Sequence, residues 1–180
     1  MSASRVMAAL AVWALGLAGC GPSASEIKEN KEEAKFHYDL AYGYYFEQKV
    51  PQAEAALHEV TLCLKLDPTS HDAHLLAGLI HMGRKRNLKA VEHFQRALEL
   101  KPDFHFARNN LGATYLILER WDDAIVQFKS LTEDMLYSRP GHAQNNLGWA
   151  WYKKGDRDKA RGHFLAATQV APRLCPPYNN

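Results

Sequence analysis

"NNLGATYLILERWDDAIVQFKSL" (residues 109–131) and "NNLGWAWYKKGDRDKARGHFLAA" (residues 145–167) open alike and keep the same glycine, alanine and phenylalanine places. Gly112, Ala124 and Phe128 become Gly148, Ala160 and Phe164, each 36 residues on. One copy upstream the step is 34 residues: Gly78 precedes Gly112, Ala90 precedes Ala124, Phe94 precedes Phe128 and Pro68 precedes Pro102 by that number. A fixed period of this size marks a stacked array whose unit is one supersecondary element. A further copy lies ahead. Its Ala56 stands 34 residues before Ala90, but Ala41 stands 37 before Gly78, which places three extra residues between its helices, within Glu47–Pro51. The array has four repeats.

Each repeat reads as two helices. In the third, Leu111, Thr114, Tyr115 and Leu118 recur at three- and four-residue spacing within Phe106–Arg120, the helical period. A turn is expected at Trp121–Asp123 with Asp122 as N-cap, followed by a helix carrying Ala124, Ile125, Phe128 and Leu131 on one face. Gly112 marks a close approach of the partner helix. Pro102 stops the second helix of the preceding repeat. No alternating β-rich run occurs, so the chain is all-α.

The two quoted stretches resemble tetratricopeptide repeats: Leu-Gly, an aromatic three residues later, then Ala, Phe, Ala and Pro. The resemblance covers residues 34–172 and implies a solenoid of about four helix-turn-helix repeats in a right-handed superhelix, with the first helices lining a concave face. It implies that this face binds a partner and catalyses nothing. The positions it assigns there include Tyr38 in the first repeat and Leu75, Leu79 and Met82 in the second. Phe106, Asn109 and Leu116 come from the third, and Asn145, Trp149 and Tyr152 from the fourth. Lys35, Asp72, Ala113 and His142 share the face; Tyr42 and Tyr45 do too and are expected to pack between repeats. An apolar, aromatic surface of this kind marks a partner site. Asn109 and Asn145 are expected to bond to the backbone of an extended peptide.

The N-terminus supplies a location. Residues 1–19 hold one Arg and an apolar run from Val6 to Leu17, too short to span a membrane, and read as a secretory signal. "LAGC" (residues 17–20) resembles a bacterial lipobox. That resemblance implies cleavage before Cys20, acylation of Cys20, and, with Gly21 following, lipid anchoring at the inner leaflet of the outer membrane. Residues 20–33 are expected to be a lipidated cysteine with a flexible polar tether, turning helical towards Glu33, and residues 173–180 a C-terminal tail. Without residues 1–19 the formal charge is +1, which leaves no polycationic face for nucleic acid.

Other chemistry is thin. Cys63 sits where later copies have Ala97 and Ala167, a small core position, and Cys175 lies three repeats away. His71, His74 and His81 share a helix, but His74 and His81 fall on the usual Trp and Tyr packing positions of the repeat, and no acid stands at metalloprotease spacing. No phosphate loop or serine elbow is present. The expectation is a non-enzyme with no small-molecule substrate, no metal, and no cofactor beyond the lipid on Cys20.

The step of 36 comes from two residues added within Thr132–Gly141. "EDMLYSRPGHAQNNLG" (residues 133–148), together with the lipobox and polar tether, resembles the PilF/PilW/Tgl family of tetratricopeptide lipoproteins of type IV pilus biogenesis, the secretin pilotins. The resemblance implies binding of a secretin subunit, its localisation to the outer membrane and its assembly into the pilus pore. The alternative is a periplasmic adaptor scaffold for cell-wall hydrolases or another envelope complex. The long junction is expected to open the angle between the third and fourth repeats, with Leu136 and Tyr137 wedged in the gap. The last helix, Arg157–Ala171, is expected to show an apolar side, including Phe164, to water.

Overall fold

The computed structural model describes residues 22–47 and 52–171; residues 1–21, which include the expected signal segment and Cys20, residues 48–51 and the tail from residue 172 lie outside the described residues. The described residues form eight α-helices and one π-helical turn, in the order α1 (Ala24–Tyr42), the π turn (Gly43–Glu47), α2 (Ala53–Leu66), α3 (His71–Gly83), α4 (Asn87–Leu100), α5 (His105–Ile117), α6 (Trp121–Glu133), α7 (Pro140–Lys154) and α8 (Arg157–Val170). They pair as α1–α2, α3–α4, α5–α6 and α7–α8. Each second helix packs on the next repeat's first helix, and α3 also touches α5 as α5 touches α7, so the first helices form the inner layer of a solenoid.

Glycine and phenylalanine set the distance within each pair. A Cβ on Gly112 would lie 2.7 Å from the Phe128 ring, one on Gly148 2.7 Å from Phe164, and one on Gly78 2.5 Å from Phe94. The ring therefore lies directly on the backbone of the first helix, as the glycine spacing predicted. The first repeat uses a smaller pair, with Ala41 and Val60 at these positions, both fully buried. Cys63, Ala97 and Ala167 are also buried at one shared position, and burial pushes the Cys63 thiol up to about 11.

A polar rung joins the two helices of every repeat from one recurring pair of positions. His37 Nδ1 meets Glu59 Oε2 at 2.6 Å. His74 and His93 face each other through their Nδ1 atoms at 3.1 Å. Arg108 Nη1 donates to Gln127 Oε1 at 3.3 Å, and His163 Nδ1 meets Gln144 Oε1 at 2.8 Å. Buried or half-buried polar groups need such partners, so these rungs fix helix register at little cost.

Four expectations require correction. Residues 24–33 are not a flexible tether but the start of α1, closed by a capping box in which the Ser23 hydroxyl accepts from the Glu26 N–H and the Glu26 carboxylate accepts from the Ser23 N–H. Its Glu, Lys and Ala content, with Lys28 and Glu32 one turn apart, favours helix even without burial. Asp122 is not an N-cap. The chain reverses earlier, through Glu119 at φ 58°, and α6 begins at Trp121. Asp122 then stands in the first turn and pairs with Lys154 of α7. In the first repeat the π turn takes up extra length already at Gly43–Glu47, ahead of the span expected for the insertion, most of which lies outside the described residues.

The fourth correction is at the long junction. Leu136 is not wedged inside; it is 86% exposed, and Met135 is 99% exposed. Asp134 explains the reversal of side. Its Oδ1 accepts the Leu136 N–H at 2.8 Å, and its Oδ2 meets His105 Nε2 at 2.7 Å. This turn throws Leu136 outward and brings Tyr137 in, edge-on to His105 and against the core. The backbone bond from Leu136, then His105, hold the Asp134 carboxyl below its usual range. One hydrophobic cluster runs from Phe94 through Phe128 to Ala143 and Leu147, so the core is continuous across the junction. On α8, Phe164 is half-buried against Gly148 and Trp149, and Leu165 and Val170 are the apolar side chains exposed there.

Two stability measurements check this packing. Gly112→Ala should cost about 1–3 kcal/mol in denaturant melts by overpacking. Combined with Phe128→Val, which copies the Ala41/Val60 pair, the loss should fall short of the sum of the single changes by about 1 kcal/mol or more. Strict additivity would mean that the ring contact does not set the helix distance. At the junction, Tyr137→Ala should cost about 1–3 kcal/mol and Leu136→Ala less than about 0.5 kcal/mol; the reverse order would place Leu136 inside.

Candidate functional site

The inner layer divides the residues assigned to the concave face into wall and rim. Leu75, Leu79, Met82 and Leu116 are half-buried and pack against the second-to-fourth-repeat core. Met82 Sδ lies 3.4 Å from the Thr114 oxygen, whose proton goes to the Asn110 carbonyl at 2.7 Å, so α3 and α5 touch here. These four are the apolar floor of the face. Tyr38 is half-buried against the first-repeat core, beside a cavity of about 290 Å³ whose lining includes Lys35, Asp39 and Asp72. Burial, then Asp72, push its hydroxyl up to about 12, so it stays protonated.

Three assigned residues stand out as exposed rings: Phe106, 51% exposed, Trp149, 46%, and Tyr152, 45%. Trp149 lies edge-on to Tyr152, with centroids 5.6 Å apart, and to Phe164 at 5.7 Å. The two amides expected to bond to partner backbone both have contacts within the array. Asn109 Oδ1 already accepts from Asn146 Nδ2 at 3.0 Å, across α5 and α7, and Asn145 is half-exposed and itself engaged. The face therefore offers rings more than amides.

The first repeat adds rings that sequence reasoning placed wrongly or missed. Tyr42, expected to pack, is exposed and leads to Phe46, also exposed, with centroids 4.8 Å apart. Tyr45 does pack, its hydroxyl donating to the Leu79 carbonyl at 3.1 Å. Phe46 escaped notice because the π turn shifts the register beyond Gly43; its spacing four residues after Tyr42 was the available signal. Ile117 is exposed at the end of α5 and was likewise not assigned.

His74 and His81 are packing groups between α3 and α4, as their repeat positions suggested, with His93 as an unassigned third member stacked on His81. Among the described residues no three His, Cys, Asp or Glu side chains gather as a metal-binding group. No helix among them is long and apolar enough to cross a membrane.

Comparison with known proteins agrees with this architecture. Two tetratricopeptide-repeat family models match, over residues 38–105 and 93–126. The type IV pilus assembly protein PilF of Pseudomonas aeruginosa is 29% identical over 156 residues, which cover 84% of this chain and 61% of PilF. The chain thus spans under two thirds of that relative. The crystal structure of PilW, a widely conserved type IV pilus biogenesis factor, superposes with a TM-score of 0.69 at 27% identity, over 78% of this chain and 63% of PilW. MamA superposes with a TM-score of 0.71 at 22% identity, over 83% of this chain and 84% of that one, a likeness of fold. Taken with the paired helices, the two matched family models make the chain a tetratricopeptide-repeat solenoid, similar in sequence over most of its length to PilF.

Proposed function

We propose that this protein is a lipid-anchored, non-enzymatic pilotin: it binds a secretin subunit on its inner face, at the periplasmic side of the outer membrane, and promotes assembly of the type IV pilus pore. The similarity to PilF over most of the chain carries this reading, and the PilW structure supports it. The physical support is the inner face. Rings that pack on one side and meet solvent on the other, such as Phe106, Trp149 and Tyr152, are the residue types that dominate protein interfaces. Because Asn109 is engaged by Asn146, affinity is assigned to apolar side chains of the partner seated between these rings.

Acylation of Cys20 supplies the anchor in this reading, at about 0.8 kcal/mol per buried CH₂. With α1 beginning at Ala24, the array is carried close to the membrane on a helical stem, Ala24–Glu33, that extends about 15 Å rather than on a loose leash.

Two experiments test the proposal. Phe106→Ala with Trp149→Ala should weaken capture of the secretin from membranes by about thirtyfold or more, since truncating an interface ring costs about 2 kcal/mol. Circular dichroism must match the parent, and Lys129→Ala, an exposed change on the outer helix α6, must bind normally. A folded double variant that still captures secretin places the site elsewhere; recovery of cell-wall hydrolases instead of secretin favours the adaptor reading. Separately, Cys20→Ala should leave the protein unanchored, with few pores in the outer membrane. Normal fractionation of that variant with the outer membrane refutes the lipid anchor.

A further inference from the structure

The second repeat differs from the others in what its polar rung would do with a proton. His37 Nδ1 faces a carboxylate, Glu59 Oε2, at 2.6 Å in the first rung. Arg108 donates to the Gln127 carbonyl oxygen in the third. His163 faces the Gln144 carbonyl oxygen, which accepts from the ring in either charge state, although burial lowers this imidazole as well. Only the second rung sets imidazole against imidazole, His74 Nδ1 to His93 Nδ1 at 3.1 Å. His74 Nε2 reaches the Pro68 carbonyl at 3.3 Å and must donate to it, which leaves His74 Nδ1 as the acceptor of the His93 Nδ1–H. His81 is stacked on His93, interplanar angle 18°, and its own Nδ1 is buried with no hydrogen-bond partner.

We propose that this His74–His81–His93 cluster makes the second repeat an acid-sensitive seam, where protonation loosens the α3–α4 pair while α5–α8 stay folded. The cluster sits at the joint of the array. One hydrophobic cluster runs from α1 to α3, the other from α4 to α7, and the three rings lie where α3 meets α4. Two imidazolium rings at hydrogen-bond distance repel in a half-buried site, and no carboxylate stands between them.

The surrounding charge adds to this. Arg84 and Arg86 at the α3–α4 turn act on His81, Lys89 of α4 acts on His81 and His93, and Arg96 of α4 acts on His74. Glu92 and Glu99 of α4 oppose them. Glu54 of α2 is taken up by Arg84. From α5, Arg108 is bonded to Gln127 and Pro102, and Tyr115 to Gln95. Burial, as the largest cause, lowers all three imidazoles, His93 to about 4. The unfolded chain binds these protons at about pH 6.5, so stability is intact above that value and is lost as pH falls from about 6.5 to about 4. Because α3 also carries Leu75, Leu79 and Met82, acid would loosen the middle of the inner face; the seam itself does not depend on any partner.

Hydrogen exchange by mass spectrometry on the full protein, corrected for the intrinsic pH dependence of exchange, reads the seam directly. Between about pH 7 and pH 5, amides of α3 and α4 should lose protection at least about tenfold more than those of α7 and α8. His93→Gln keeps a donor to His74 Nδ1, and His74→Arg with His93→Gln rebuilds the rung of the third repeat; both should abolish the difference. Loss that is uniform along the array, or that persists unchanged in both variants, overturns the proposal.

Discussion

The contact of a phenylalanine ring with the bare backbone of a glycine governs the rest of this structure. At Gly78/Phe94, Gly112/Phe128 and Gly148/Phe164 the ring occupies the space a Cβ would fill. It sets how closely the two helices of a repeat approach, and by fixing that approach it fixes which face of each first helix turns inward. Phe94 and Phe128 are fully buried, as close packing requires. The first repeat meets the same constraint with Ala41 and Val60, where a larger residue on one helix is matched by a smaller one on the other. The alanines at 56, 90, 124 and 160 do the same work one turn away, all essentially without exposure.

Between the helices of a pair, a second recurring element is the turn. Lys85 and Glu119 occupy equivalent places at φ 58°, and Gly155 takes that place in the fourth repeat at φ 96°. The left-handed residue lets its own N–H and the next one bond back to the end of the first helix, as Glu119 and Arg120 do to Leu116 and Tyr115, and Gly155 and Asp156 to Tyr152 and Trp151. Two side chains tolerate a conformation that glycine adopts freely, because the reversal they permit is enforced by the packed pair on either side.

What was legible in the sequence follows from this. A steric contact that admits one residue type leaves that type at a fixed interval, so helix number, pairing and the extra residues within Thr132–Gly141 could all be read from Gly, Ala, Phe and Pro. Features that depend on local hydrogen bonding were not legible. Nothing in the pattern says that Asp134 accepts the Leu136 N–H, and that one bond exchanges the inside and outside roles of Leu136 and Tyr137. A capping box at Ser23 and Glu26 turned a polar segment into helix. The Asn109–Asn146 bond crosses between repeats, where sequence spacing carries no signal for side-chain direction. At the candidate site, the period located the face, but which rings are needed for packing depended on contacts between helices.

The same constraint separates recognition from folding. Helix pairs are held by glycine, alanine and phenylalanine on the sides that face each other, so the inner side of each first helix is left to vary. Phe106 can stand exposed on α5 because α5 is already seated by Gly112 and Ala107. Trp149 is less independent, since it lies on Phe164, the ring that seats α7 against α8. The last described helix shows the converse. Where α4 and α6 carry the buried Val91 and Ile125, α8 carries Arg161, exposed and paired with Asp158. The position that elsewhere joins one repeat to the next is charged here. Leu165 and Val170 are the large apolar side chains left exposed on α8, whereas Phe106, Trp149 and Tyr152 expose their rings on the first helices of the inner layer.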